Sequence, residues 1–244
     1  MVDVEFDQGL AVLTIDRPHA RNAISLETMD QLEKALDAAE GASALAITGA
    51  GDRAFVSGGD LKELSTIRTE EDAAAMARRM RSICDRLASF PAPVIAALNG
   101  HALGGGAEVA VAADIRLAAD DIKIGFNQVT LEIMPAWGGA ERLAALVGKS
   151  RALLLAGTGT VLDAADAERI GLIDQVLPRS TFDQDWRRVA RALSARPAGE
   201  IKRVIDGVSP EEAVKAFARL WVGDAHWRAA DRVMNRSAKV GGAM

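Results

Sequence analysis

Between Leu10 and Leu177 the sequence switches repeatedly between two periods, and this alternation restricts the fold more than any other feature. Short apolar runs suited to buried strands (10–15, 45–48, 94–98, 115–117, 122–124 and 173–177) are separated by stretches whose apolar residues return every three or four positions. Leu26, Met29, Leu32 and Leu36 fall on one helical face, with Ser25 placed to cap its start. A longer helix is expected over 70–87, ended by Pro91 and Pro93. The glycine-rich stretches 49–59 and 100–105 read as loops, and 106–113, 139–147, 150–155 and 164–170 as helices. Ahead of all this, Val2, Val4 and Phe6 alternate with acidic residues up to Gln8-Gly9, the pattern of a β-hairpin. Strands alternating with helices imply an α/β domain over 1–178, and the purely helical pattern after Pro178 implies a helical region over 179–244.

Charge and cysteine content narrow the function classes. The 244 residues carry a net charge of −5, split as −10 over 1–178 and +5 over 179–244. With no tyrosine and an acidic balance, the chain lacks the basic surface and stacking aromatics of a nucleic-acid binder. Arg187, Arg188 and Arg191 fit the solvated face of a helix. One cysteine, Cys84, permits neither an internal disulfide nor a cysteine-built zinc site, and its helical setting beside Ile83 and Leu87 makes it a core residue. No apolar run approaches the ~20 residues needed to span a bilayer, and no export signal is apparent, so a cytoplasmic protein is expected.

Several familiar motifs fail on context. Gly49-Ala50-Gly51-Asp52-Arg53-Ala54 follows a strand but does not open a helix, so a dinucleotide site is not expected. His19, His101 and His226 lack metal-ligand spacing, and Ser57 lacks the glycine that precedes the serine of a nucleophile elbow. Two stretches resist such dismissal. In Gly104-Gly105-Gly106-Ala107-Glu108-Val109, three glycines open an apolar helix carrying one carboxylate, with no Lys or Arg within four residues of it. A buried, unpaired carboxylate is costly, so Glu108 needs a distant partner or a chemical task, and a raised pKa suits the second. In Phe55-Val56-Ser57-Gly58-Gly59-Asp60-Leu61, the glycines can bare a backbone N–H. One donor from each loop, converging on an oxygen that becomes negative, would form an oxyanion hole worth ~2.7–4 kcal/mol per donor in a transition state.

At this point the chain resembles the crotonase, or enoyl-CoA hydratase/isomerase, superfamily. The resemblance rests on Asp16-Arg17-Pro18 leading to Asn22-Ala23, on 55–61, and on 93–100 continuing through Leu103-Gly104-Gly105-Gly106 to Glu108 and Asp114. Pro135, Gly138-Gly139, Arg142-Leu143, Val147-Gly148 and Gly171-Leu172-Ile173 extend it. It implies a spiral of ββα units with C-terminal helices that mediate trimer formation, as a trimer or a dimer of trimers. It also implies an acyl-CoA thioester substrate, with coenzyme A entering only as part of it and no metal or other cofactor. Carried over by motif, Gly59 and Gly105 supply the two N–H donors. Ala20, Arg21, Ser57, Asp60, Leu61 and Lys62 fall where relatives hold the coenzyme A, and Glu108 matches the first of the two hydratase glutamates.

The second glutamate is replaced. Counting back from Pro135 places Asn127-Gln128 at the Pro-Glu pair of hydratases, and an amide cannot exchange a proton at neutral pH. Glu132, standing where relatives usually have glycine, is a substitute acid or simply an exposed one. Hydration or isomerisation of enoyl-CoA leads the reading. A branch that decarboxylates short alkylmalonyl-CoA thioesters also looks similar, through Ser57-Gly58, Ala102-Leu103, Ala107-Glu108, Trp137 within 135–139, and Trp221 followed by Gly223. A non-catalytic acyl-CoA-binding relative is the third reading, against which Gly59, Gly105 and Glu108 weigh.

Overall fold

The computed structural model describes the backbone of residues 1–241 and the side chains of residues 1–235, so the last three residues of the expected helical region lie outside the described residues. The chain opens with the expected hairpin, β1 (Val2–Asp7) against β2 (Leu10–Ile15). Gln8 and Gly9 both take positive φ, +50° and +87°, the backbone that matches the twist of a two-residue turn. Helix α1 (Leu26–Ala38) is capped by the Ser25 hydroxyl, which accepts from Thr28 N at 3.1 Å. There follow β3 (Ala44–Gly49), β4 (Ala54–Val56), α2 (Leu61–Leu64), α3 (Glu70–Ala88), β5 (Val94–Leu98), β6 (His101–Leu103) and α4 (Gly105–Ala110). Next come β7 (Ile115–Ala119), β8 (Lys123–Gly125), α5 (Gly139–Val147), α6 (Lys149–Thr158), β9 (Val161–Asp163), α7 (Ala164–Arg169) and β10 (Gln175–Leu177).

The strands divide between two sheets, ordered β1-β2-β3-β5-β7-β10 and β4-β6-β8-β9. In the pairs β3/β4, β5/β6 and β7/β8 the first strand joins the large sheet and the second, a few residues on, joins the small one. After β4 and β6 a helix then returns the chain to the start of the large sheet, so each ββα unit advances the spiral by one strand. All pairings in the large sheet after β1/β2 are parallel, and β2, β3 and β5 are almost wholly buried, which is why they read as continuous apolar runs. This is the expected crotonase-like α/β fold. Strands β4, β6 and β9 fall in stretches not read as strand, and α4 ends at Ala110, three residues earlier than expected, because the chain turns through Asp114, whose carboxylate accepts from Val94 N at 2.7 Å.

The expected boundary at Pro178 moves to Gly199. Helix α8 (Phe182–Ser194) buries Phe182, Trp186 and Ala190, spaced by four, against β2, β3 and β7, and so belongs to the first compact unit, Met1–Gly199. The second unit, Glu200–Met244, contains the end of α9 (Ala198–Ile205) and the helices α10 (Pro210–Trp221) and α11 (Asp224–Gly241). Within it Phe217, Trp221, His226 and Trp227 form a cluster of rings with centroids 4.6–5.8 Å apart. Among the described residues no helix is long and apolar enough to cross a membrane.

Candidate active site

The two glycine loops meet where the small sheet delivers them. Helix α4 passes β4 so closely that a Cβ on Gly106 would stand 1.8 Å from the carbonyl oxygen of Val56, and one on Gly58 (φ +103°) would stand 3.3 Å from the amide nitrogen of Gly105. The loop of Gly59 is pinned from its other side by Ile24, whose N–H donates to Gly58 O and whose carbonyl accepts from Asp60 N, both at 2.8 Å. That pairing skips the N–H of Gly59, and the N–H of Gly105 heads a helix, so neither has a protein acceptor among the described residues. Two buried amides hold the surrounding chain. Asn22 Nδ2 donates to Ala50 O and Ala54 O at 3.0 and 2.7 Å, and Asn99 Oδ1 accepts from Gly49 N at 2.9 Å.

Glu108, on α4, is 2% exposed and has no cationic partner among the described residues. Its Oε2 accepts from the backbone N–H of Trp137 at 2.7 Å and of Gly139 at 3.0 Å, while Oε1 accepts from Gln128 Nε2 at 2.9 Å. Burial pushes the carboxyl above the ordinary glutamate range, against the opposing pull of the Gly139 and Trp137 N–H groups and the Gln128 amide. Two N–H donors occupy Oε2 and one occupies Oε1, which leaves Oε1 a second lone pair able to take a proton. The carboxylate therefore has both partners and a free protonation site, where the sequence reading set the two against each other.

Ala20, Arg21, Ser57, Gly59, Asp60, Leu61 and Lys62 line one cleft of about 820 Å³, together with Arg17, His19, Ala23 and Glu63. Asp60 is less free than expected. It pairs with Arg17 at 3.0 Å and caps α2 through Glu63 N. Partial burial raises its pKa, but the Arg17 hydrogen bond and the Glu63 N–H outweigh that and hold it below the ordinary carboxylate range. Trp137 and Glu132 do not line this cleft. Trp137 is buried, its ring so close to Gly105 that a Cβ there would come within 2.1 Å of it, and its carbonyl accepts from Arg142 Nη1 at 3.2 Å. It backs one donor loop and anchors the acid. Glu132 is exposed at the end of a 3-10 turn (Asn127–Leu131), in left-handed backbone with φ +56°, outside the set of groups bonded to Glu108. Cys84 is wholly buried, its thiol pushed up to about 12 by burial, as suits a core residue.

The backbone donors of Trp137 and Gly139 escaped sequence reasoning, although Gly138-Gly139 carried a signal. A Cβ on Gly139 would stand 2.3 Å from Glu108 Cγ, so only glycine brings that N–H to the carboxylate.

A sequence profile described as enoyl-CoA hydratase/isomerase matches residues 5–220. The chain belongs to the enoyl-CoA hydratase/isomerase family. Relatives in this family include a probable enoyl-CoA hydratase of Bacillus subtilis (strain 168), 40% identical over 175 residues that cover 70% of this chain and 67% of that protein. The crotonyl-CoA hydratase of Syntrophomonas wolfei is 39% identical over 198 residues, 78% of this chain and 75% of that one. The crystal structure of an enoyl-CoA hydratase from Bacillus anthracis matches with a TM-score of 0.81 at 29% identity, covering 92% of this chain and 91% of the other. Of the two positions that the resemblance matches to acids, the structure brings Glu108 and the amide Gln128 together, 2.9 Å apart.

Proposed function

We propose that this family member acts on acyl-CoA thioesters by stabilising an enolate, with hydration of a short enoyl-CoA as its reaction. The observation that carries the reading is a buried carboxylate with one oxygen capped by two backbone N–H groups, together with two glycine N–H groups that have no protein acceptor among the described residues. The N–H groups of Gly59 and Gly105 polarise the thioester carbonyl. Water adds its oxygen to C3 while Glu108 Oε1 takes its proton, the π electrons move to the thioester oxygen, and the same proton then passes to C2. Arg21 and Lys62 at the cleft mouth supply positive charge for the phosphates of coenzyme A, and no metal or redox cofactor enters. A cytoplasmic setting belongs to this reading.

One observation favours a second reading. The group facing Glu108 is an amide, so the site holds one proton-exchanging side chain where hydration is easiest with two. Loss of CO₂ from an alkylmalonyl thioester needs one: the C–C bond breaks towards the oxyanion hole, and neutral Glu108 protonates the enolate carbon. Crotonyl-CoA and ethylmalonyl-CoA, offered in parallel, separate the two by loss of the conjugated double bond or release of CO₂. Turnover of neither would leave acyl-CoA binding without chemistry. In Gln128→Glu, a second carboxylate should raise hydration and repel a malonyl-type substrate, moving the two rates in opposite directions.

A further inference from the structure

The two N–H groups that cap Glu108 belong to a stretch that regular secondary structure does not hold. Met134 to Trp137 make no backbone–backbone hydrogen bond among the described residues, and Gly138 O accepts from Arg142 N at 3.3 Å only where α5 begins. The donors at Trp137 and Gly139 sit on the peptide units 136–137 and 138–139, so the unit between them, 137–138, sets how both point. Its carbonyl, Trp137 O, accepts from Arg142 Nη1 at 3.2 Å. The same guanidinium lies against the glycine of that unit, since a Cβ on Gly138 (φ +88°) would stand 2.3 Å from Arg142 Nη1. Its other end, Nη2, pairs with Asp85 on α3. A guanidinium is planar and rigid, so a fork anchored at Asp85 holds the carbonyl in one place, which a flexible ammonium would not.

We propose that Arg142 is a positioning residue: it holds the peptide unit 137–138 so that the N–H groups on either side converge on Glu108 Oε2. With that oxygen held by donors 2.7 and 3.0 Å away, the carboxyl cannot turn about its Cγ–Cδ bond to exchange its oxygens, and Oε1 keeps one direction. This rests on the reading of Glu108 as the acid and deepens it. Arg142 itself does not line the cleft. A second pair, Arg81 to Glu141 at 2.8 Å, also ties α3 to α5, but it makes no hydrogen bond to 137–139 among the described residues and so supplies a control.

The test reads the Trp137 amide directly. Trp137 is the only one of the four tryptophans that follows an alanine, so labelling the full chain with carbonyl-¹³C alanine and ¹⁵N tryptophan singles out its N–H by NMR. In the parent that proton should lie downfield, as for a donor to a carboxylate, and move upfield in Glu108→Gln, where a neutral amide oxygen accepts more weakly. In Arg142→Met it should move upfield as well, with turnover down ~10–10²-fold, as expected when a reacting group is displaced by up to ~1 Å. Affinity for S-butyl-CoA, a thioether that lacks the acidic α-proton and does not turn over, should stay within about twofold by calorimetry. Arg81→Met should leave the amide shift and turnover at parental values. Should Arg142→Met fail to fold, Asp85→Ala, on the exposed side of α3, removes the anchor and carries the same directions. An amide that stays at its parental shift in the Arg142 or Asp85 variant, moves as far in Arg81→Met, or moves with turnover unchanged overturns the inference alone. If the parent neither binds S-butyl-CoA nor turns over a thioester, the acyl-CoA reading fails, and the amide shift still decides the clamp.

Discussion

Replacing Gly106 by alanine should part the two halves of the proposed oxyanion hole with a single methyl group. The added Cβ would stand 1.8 Å from Val56 O and 2.6 Å from Val56 C, and since real Cβ contacts are essentially never under 3.0 Å, α4 and β4 must separate by about 1.2 Å. Both sides are backbone, so no rotamer change relieves the clash. Helix α4 carries Gly105 and Glu108, and β4 runs directly into the loop of Gly59. Overpacking of this kind costs ~1–3 kcal/mol, roughly 2–12 °C in Tm for a chain of this size. A misplacement of ~1 Å at a reacting centre costs a factor of ~10² in rate, and each lost oxyanion donor is worth ~2.7–4 kcal/mol.

The expected outcome is therefore a folded protein with a modestly lowered Tm and a turnover number reduced ~10²-fold or more on its best thioester. Affinity for S-butyl-CoA should be largely kept, because Ala20, Arg21 and Lys62 lie on other segments of the cleft. Gly157→Ala is the matched control. It sits on the exposed side of α6 with nothing nearer than Leu153 Cδ1 at 3.9 Å, so the same methyl should raise stability by up to ~1 kcal/mol through helix propensity and leave turnover alone. If Gly106→Ala melted and turned over like the parent, the contact between α4 and β4, and the donor geometry built on it, would be refuted.

Glu108→Gln should lower turnover ~10²–10⁴-fold and keep the fold, since its amide oxygen can accept from both Trp137 N and Gly139 N while Gln128 reverses to accept from the new NH₂. Because the parent carboxyl titrates above its ordinary 4.5 when folded, the unfolded chain ionises first and the parent loses stability as pH rises through that window; melts of both proteins from pH 4 to 9 should show the variant's advantage growing and then levelling, and a parent that gains on the variant would be contrary. Glu132→Gly relieves a left-handed backbone at φ +56° at the cost of a more flexible unfolded chain, so Tm should stay level or rise by an amount equivalent to up to ~1 kcal/mol, with turnover unchanged; loss of turnover would make Glu132 the second acid. Phe217, Trp221 and Trp227 are each about half exposed on α10 and α11, more apolar surface than a monomer leaves bare, and light scattering of the full chain should report a trimer or a multiple of it rather than about 26 kDa.

How much of this was legible in the sequence follows from which interactions side chains can advertise. Strands β2, β3, β5 and β7 announce themselves because the large sheet buries them on both faces and demands apolar runs. Strands β4, β6 and β9 have three residues each and sit among glycines or between helices, paired with strands 40 or so residues away, as Ala54 with His101 or Ile124 with Leu162. A three-residue strand has too few positions to display a period. The boundary at Pro178 was misplaced for a related reason. Amphipathic pattern shows that α8 has an apolar face, but not that this face closes the large sheet of the body rather than packing with the helices after it.

The site divides along the same line. A lone carboxylate in an apolar helix behind three glycines is unusual enough to mark both the acid and a donor loop. What fixes that acid is backbone, the N–H groups of Trp137 and Gly139, and every residue but proline has one, so the sequence names them only indirectly, through a glycine that no larger residue could replace. The orientation of Gln128 is less legible still. Asparagine or glutamine in a sequence offers donor and acceptor alike, and only the carboxylate oxygen 2.9 Å away decides which end is used up. The reaction carried out in such a site thus depends on more than the tally of acids. The free end of the Gln128 amide is set by a neighbour 20 positions earlier in the chain.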